Sequence, residues 1–188
     1  YYTTIKLFRI LWEQFRLPKF LKMMKIDILH SPGFIAPFWM KTKSIVTIHD
    51  MTFFSHPQCH TRAKQFYFRK IIPLTSKKAN SIIADSESTR KEITKYLDIE
   101  KNKIITIHLG VGREFRQMDH NEARKFVRKK YAIKNKFVLF VGMIEPRKNL
   151  QRLVDAFLQL KAPDLRLVVV GKKGWKMEEF FKMIDDSG

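Results

Sequence analysis

The sequence predicts an α/β protein with parallel sheets, arranged as one α/β body followed by the beginning of a second. Three observations carry this reading. Short apolar runs rich in β-branched residues end abruptly in polar ones, helical stretches separate them, and the alternation restarts beyond a connection bearing glycines and mixed charges. Strand and helix in alternation imply βαβ units, and with them a parallel sheet carrying helices on both faces.

The first element is an amphipathic helix over residues 1–17. Ile5, Phe8, Leu11, Trp12 and Phe15 recur at helical spacing with Lys6, Arg9, Glu13 and Arg16 between them, and Pro18 is expected to interrupt the pattern. A basic face of this kind suits a membrane surface, but an ordinary helix on the outside of a domain has the same pattern and is the reading kept here. Strands follow at 26–30, 44–48, 80–84 and 104–107, each of strand length and β-branched content. Between them the periodicity predicts helices over 61–78 and 86–96. Asp85 or Ser86 would cap the latter, with Thr89 and Glu92 placed for a capping box.

Residues 109–121 hold Gly110 and Gly112, mixed charges and no sustained apolar period, and read as a connection between two bodies. A highly charged helix over 122–131 comes next, then a strand over 137–141, a turn at Gly142, a helix with Leu150, Leu153, Val154 and Phe157 on one face, a strand over 165–170 and a helix over 177–184. That is too little to close a doubly wound sheet. The expected organisation is a first domain over 1–112, a connection over 113–121 and an incomplete second domain over 122–188.

With 45% hydrophobic and 29% charged residues over 188, the chain can bury a core, which excludes a collagen or a disordered tail. Lys and Arg number 37 against 18 Asp and Glu, a net charge of +19 that calls for an anionic partner: nucleic acid, anionic lipid head groups or a phosphorylated substrate. Cys59 is the single cysteine, so no disulfide can form within the chain and a reducing compartment, the cytosol, is expected. No run approaches the roughly 18 apolar residues that span a bilayer. The chain opens on Tyr1 and closes on Asp185, Asp186, Ser187 and Gly188 straight after a helical pattern, which suggests an excerpt of a longer protein.

Ligands of open parallel sheets bind beyond the carboxyl ends of the strands, so the residues terminating each run are the candidates: His30, His49 with Asp50, Asp85 with Ser86, and the stretch after Val141. His49 could donate to a substrate hydroxyl or phosphate and Asp50 could orient a neighbouring loop; a satisfied structural histidine is the alternative. The stretch from Val141 to Leu150 runs strand, Gly142, Arg147 and Lys148, then a helix start. This sets two cations beside unpaired backbone N–H groups and suits a diphosphate, with a solvated loop as the alternative. It lacks the second glycine and the Lys-Ser/Thr pair of a Walker loop, and Gly110-Val111-Gly112 lacks the third glycine of a dinucleotide fingerprint. His56, Cys59 and His60 offer three metal ligands without a completing pair, a weak metal signal. The cations of 124–130 read first as a solvated helix face.

Six motifs stand in order: DILHSP at 27–32, VTIHD at 46–50, ADSESTRKEI at 84–93, ITIHLGV at 105–111, FVGMIEPRKNLQRLVDAF at 140–157 and LVVVGKKGW at 167–175. Together they resemble the family 4 glycosyltransferases, most of all the subgroup that builds bacterial surface polysaccharides, often mannosyltransferases. The resemblance implies a GT-B fold: two Rossmann-like domains with parallel sheets facing across a cleft, both truncated in this chain. It implies transfer of a hexose from a nucleotide diphosphate sugar, with retention, to a glycan or lipid-linked acceptor. No metal or other cofactor is implied, nor is nucleic acid as a partner. The implied setting is cytoplasmic, at the inner face of the plasma membrane and in peripheral contact with its anionic lipid. By resemblance His49, with Asp50 beside it, lies at the reaction centre. Arg147 and Lys148 hold the donor diphosphate, Gly142 allows close backbone approach, Gly171 and Lys172 edge the nucleotide pocket, and Ser86 and Gly110 line the cleft.

The chain also departs from the family. Met143 stands where many relatives carry Arg, so one diphosphate contact is lost or falls to Arg147. The usual Pro-Asn-Gly-Val-Asp appears as His108-Leu109-Gly110-Val111-Gly112, with glycine in place of the Asp. The acidic motif that holds the donor would lie beyond Gly188 and the glycine-rich N-terminal loop before Tyr1, so the 188 residues are not expected to turn over alone. Two rivals remain at this level: a basic nucleic-acid-binding protein, with 124–130 and neighbouring aromatics as its footprint, and a GT-B module that binds without catalysing.

Overall fold

The computed structural model describes residues 8–175 and 177–186. Tyr1, Ile5 and Lys6 of the predicted first helix, and Ser187 and Gly188 at the other end, lie outside the described residues. The chain divides into two compact units, one ending at Val111 and one running from Gly112.

Pro18 does not stop the first helix. Residues 8–11 are α-helical, Trp12–Arg16 form a π turn, and an α-helix continues over Leu17–Met23. Pro18 falls directly after the π turn, whose wider ring takes up one extra residue and pairs Leu17 N–H with the Trp12 carbonyl. Gln14 and Leu21 are the buried residues of this stretch, and Gln14 Oε1 accepts from the Phe38 N–H at 3.2 Å. The helix closes where Ile26 N–H returns to the Leu21 carbonyl at 3.0 Å with Lys25 left-handed at φ 50°.

Four strands follow, β1 Ile28–Ser31, β2 Lys43–Ile48, β3 Ser81–Ala84 and β4 Ile104–Thr106, all parallel and in spatial order β1-β2-β3-β4. Val46, Ile82 and Ile104 lie abreast in this register, as do Ile48 and Ala84. With Ile72 and Ala79 of the Arg62–Lys78 helix and its end, and Ile93 and Leu97 of the Glu87–Tyr96 helix and its end, they form the buried core. Each fully buried isoleucine contributes about 2–3 kcal/mol relative to exposure.

The expectation of helices on both faces is not met among the described residues. Ile28 and Ile105 on the opposite face are exposed, and Ile45 and Ile83 half-buried. A sheet that grows in one direction through right-handed crossovers receives successive helices on the same face. Thr47 is the buried exception there, its hydroxyl 2.9 Å from His30 Nε2.

Ser86, not Asp85, caps the Glu87–Tyr96 helix, accepting from Thr89 N–H at 3.1 Å. Thr89 is itself the third helical residue, and its hydroxyl lies 3.0 Å from Ser86 Oγ and 3.1 Å from the His49 carbonyl, so it does not open a capping box with Glu92.

In the second unit Asp119 caps a helix over His120–Tyr131, accepting from Asn121 and Glu122 N–H at 2.9 and 3.1 Å, which starts the helix earlier than its apolar period shows. Strands β5 Lys136–Val141 and β6 Leu165–Val170 pair in parallel, Val141 opposite Val170. Ile144, Leu150, Val154, Met177 and Phe180 form this unit's core, drawn from the loop after β5, the Leu150–Gln159 helix, and the start and first turn of the Glu178–Asp186 helix.

Candidate functional site

Parallel register brings the carboxyl ends of neighbouring strands side by side. Because Ile48 pairs with Ala84, the next residues, His49 and Asp85, become neighbours although far apart in sequence. His49 Nδ1 lies 2.5 Å from Asp85 Oδ2, and His49 Nε2 donates to the Pro32 carbonyl at 2.7 Å. Pro32 follows β1, and His108, beyond β4, donates from Nδ1 to the Asp85 carbonyl at 3.2 Å. Groups from beyond all four strand ends of the first unit thus converge on one patch.

The electrostatics of that patch follow from its partners. A carboxylate and a carbonyl can only accept, so with both ring nitrogens facing acceptors the arrangement favours a proton on each. The hydrogen bond from Asp85 raises the His49 pKa above the ordinary imidazole value; burial works against this, and the Pro32 carbonyl and the negative charges of Asp85 and Asp50 support it. The His49 side chain remains 42% exposed while Asp85 is 13% exposed, so the pair presents its imidazole, and not its carboxylate, to solvent. The other Asp85 oxygen, Oδ1, is buried without a hydrogen-bond partner among the described residues. Phe34 meets the His49 ring edge-on at 5.8 Å between centroids.

Asp50 turns away to a local task. Its Oδ1 accepts from Thr52 N–H at 3.0 Å and Thr52 Oγ1 at 2.7 Å, starting the helical turn Thr52–Ser55. Ser86 serves as helix cap beside the patch. His30 sits one strand over, on Thr47. Gly110 lies in the stretch after β4 with open space around it. His56 contacts Ser55 Oγ, and His60 donates to Thr52 Oγ1 at 3.0 Å while stacking on Phe53 at 4.1 Å; among the described residues no cluster of three metal-ligating side chains forms.

In the second unit the strand ends are brought together by glycine. Gly142 N–H donates to the Val170 carbonyl at 2.9 Å and Ile144 N–H to the Lys172 carbonyl at 3.0 Å. A Cβ on Gly171 would stand 1.7 Å from the Gly142 carbonyl oxygen, so no other residue allows this approach. Gly142, Gly171 and Lys172 therefore share one edge, as their placement at strand ends predicts.

Arg147 and Lys148 follow in a short 3₁₀ turn, Pro146–Lys148, before left-handed Asn149 leads into the Leu150–Gln159 helix. The two cations differ in circumstance. Arg147 is held by buried Glu145, with Nη2 and Nε 2.8 and 3.1 Å from the same carboxylate oxygen. Lys148 is exposed and makes no ion pair among the described residues.

Sequence reasoning had not assigned Asp85 as the partner of His49, nor Glu145 as that of Arg147. Aligning the two strand ends would have found the first. The second left only an acid two positions before an arginine, and its burial is invisible in a one-dimensional pattern.

Residues 3–115 match the model of Glycosyltransferase Family 4, and residues 123–186 that of Glycosyl transferases group 1. The O-antigen chain mannosyltransferase B of Escherichia coli is 25% identical over 169 residues, covering 88% of this chain and 44% of the relative. The serotype-specific mannosyltransferase WbdA of Escherichia coli is 34% identical over 100 residues, 53% of this chain and 12% of that protein. Among solved structures, Anabaena Alr3699/HepE in complex with UDP aligns with a TM-score of 0.66 at 17% identity, covering 89% of this chain and 46% of that one. A glycosyltransferase from Rickettsia africae ESF-5 aligns with a TM-score of 0.58 at 18% identity, covering 95% and 46%. The chain spans less than half the length of each of these proteins.

Proposed function

The chain belongs to Glycosyltransferase Family 4 and has an α/β fold of GT-B type, and from that premise we propose that it is part of a retaining hexosyltransferase of cell-surface polysaccharide synthesis. The donor is a nucleotide diphosphate sugar, with mannose the first choice, and the acceptor a glycan or a lipid-linked glycan. The names of the Escherichia coli relatives support the sugar, and the UDP and UDP-glucose complexes of the Anabaena protein support the donor class. The reaction proceeds without a metal, on the cytoplasmic side of the membrane, and it needs the further length that the relatives have.

One observation carries the reading. In each unit the charged and close-approach residues gather at the carboxyl ends of parallel strands, where ligands of such sheets bind. As the bond between sugar and phosphate breaks, negative charge grows on the departing diphosphate. Fixed cations and the N–H groups at a helix start stabilise that charge without reorganising at the moment of reaction. Lys148 is the first cation assigned to this task, because Arg147 must exchange Glu145 for phosphate before it can join. His49, exposed and with its pKa raised by Asp85, acts toward the transferred sugar, and Asp50 holds the turn behind it.

The test is a titration of the chain with nucleoside diphosphates and their sugar conjugates, followed by transfer assays on a protein of the relatives' full length. Lys148→Ala is expected to weaken donor binding and slow transfer. Unaltered donor kinetics in that variant would refute the clamp.

A further inference from the structure

The segment between β1 and β2 opens with three residues of unequal hold. Pro32 and Gly33 are exposed, and a Cβ on Gly33 would meet open space. Phe34 is held by its backbone and by its ring. Its N–H donates to the Thr47 carbonyl of β2 at 2.9 Å, and its carbonyl accepts from the buried Thr75 hydroxyl of the Arg62–Lys78 helix at 3.1 Å. Its ring meets those of Phe53 and Phe68 edge-on, with centroids 6.1 and 5.9 Å away.

That hold maintains a costly backbone. Ile35 N–H returns to the Gly33 carbonyl at 2.5 Å, a tight turn with Phe34 at its centre and left-handed at φ 50°. A turn of this kind with positive φ on a bulky residue is rare and strained. Glycine, which adopts it without steric conflict, stands one position earlier, at Gly33. Such strain persists only where the surroundings over-determine it, and its outcome here is contact with His49. The two rings meet at 80° with centroids 5.8 Å apart, a favourable aromatic geometry.

We propose that Phe34 is a positioning residue for His49. The imidazole turns about its bond to Cβ unless both nitrogens are held, and they are held unequally. Asp85 fixes Nδ1 from the end of a strand inside the sheet. The acceptor of Nε2, the Pro32 carbonyl, belongs to the exposed start of the loop, close before Phe34. Through Phe34 that carbonyl is tied to β2 and to the Arg62–Lys78 helix, and the Phe34 ring itself bears on the imidazole. Packing alone accounts for the ring and not for the strained turn beneath it. Asp85 and Asp50 are the charges that act on His49, and the Pro32 carbonyl adds to their hold on its proton, so loosening Phe34 releases part of that hold. The inference rests on the transferase reading for the reaction that His49 serves, but its first readout needs no sugar.

Phe34→Leu keeps an apolar side chain and removes the ring. Phe54→Leu is the control, for Phe54 is half-buried against the same core and its ring meets Tyr96 at 5.7 Å. In the chain, imidazole resonances of His49 are expected to titrate at lower pH in Phe34→Leu than in wild type, and at an unchanged midpoint in Phe54→Leu. In a protein of the relatives' length, Phe34→Leu should lower kcat by about tenfold with the donor KM within about twofold. Phe34→Tyr, which retains the ring, should recover most of that loss. The inference is overturned by an unmoved His49 midpoint in Phe34→Leu, or by equal losses of kcat in Phe34→Leu and Phe54→Leu. It is overturned without any variant if wild-type spectra lack Overhauser contacts between the Phe34 and His49 rings. A lowered midpoint in a protein that engages no nucleotide sugar would sink the transferase reading and leave Phe34 as the residue that sets the His49 ring; donor transfer with an unmoved midpoint would do the reverse.

Discussion

The His49 ring is held between Asp85 Oδ2, 2.5 Å from Nδ1, and the Pro32 carbonyl, 2.7 Å from Nε2. One side chain thereby ties together the ends of β1, β2 and β3. Neither acceptor can supply a proton, so the arrangement favours the protonated ring, and in that form the histidine has no lone pair with which to act as a base. A substrate that uses Nε2 must displace the Pro32 carbonyl.

A pH dependence follows from this pair. The folded pKa of His49 lies above its unfolded value, so the stability it confers is complete below the ordinary imidazole value and fades as pH rises through the folded one. Imidazole proton resonances of His49 should titrate above the ordinary value, and Asp85→Asn should lower that midpoint. The difference in thermal stability between wild type and variant should shrink as pH rises through the folded midpoint. An unmoved midpoint in Asp85→Asn would show that the carboxylate does not hold the proton.

Gly171→Ala sets a methyl 1.7 Å from the Gly142 carbonyl oxygen, and both sides of that clash are backbone. The β5 and β6 ends must part, at an expected cost of about 2 kcal/mol or more. Gly110→Ala meets open space and should stay within about 0.5 kcal/mol of wild type. Denaturant unfolding of the two variants decides it, and equal stabilities would contradict the close approach.

Glu145→Gln removes the charge that holds Arg147. The variant should lose about 1–2 kcal/mol of stability and bind pyrophosphate more tightly, because the guanidinium no longer has a competing carboxylate. Lys148→Ala should weaken the same binding by about tenfold, the scale of one charge-assisted hydrogen bond. Calorimetric titration reads both. Weaker binding in Glu145→Gln would mean that Glu145 orients Arg147 toward the anion and does not withhold it.

Ser86→Ala deprives Thr89 N–H of its acceptor and should cost about 1 kcal/mol, most of it restored by Ser86→Asp. Thermal unfolding measures the loss. A neutral alanine variant would show that water serves the helix end equally well.

Alternation of apolar runs and helical stretches was enough to read the parallel α/β architecture, because period and β-branched content act locally and every strand from β1 to β6 overlaps its run, with β1 beginning two residues later than the run at 26–30. The polar residues after those runs were legible as candidates for the same reason: parallel strands send all their carboxyl ends to one edge. Pro18 was misread because its effect depends on the turn before it, and a π turn has no signature in a short pattern.

The sequence alone settled the fold class, the order of elements and the family motifs, all of which depend on neighbours within a few positions. Packing alone settled who partners whom: His49 with Asp85, Arg147 with buried Glu145, Gly171 against the Gly142 carbonyl, and which face of the first sheet the Arg62–Lys78 and Glu87–Tyr96 helices cover. Those contacts depend on strand register and on the direction in which a sheet grows, and both are set only when distant segments compete for the same buried surface.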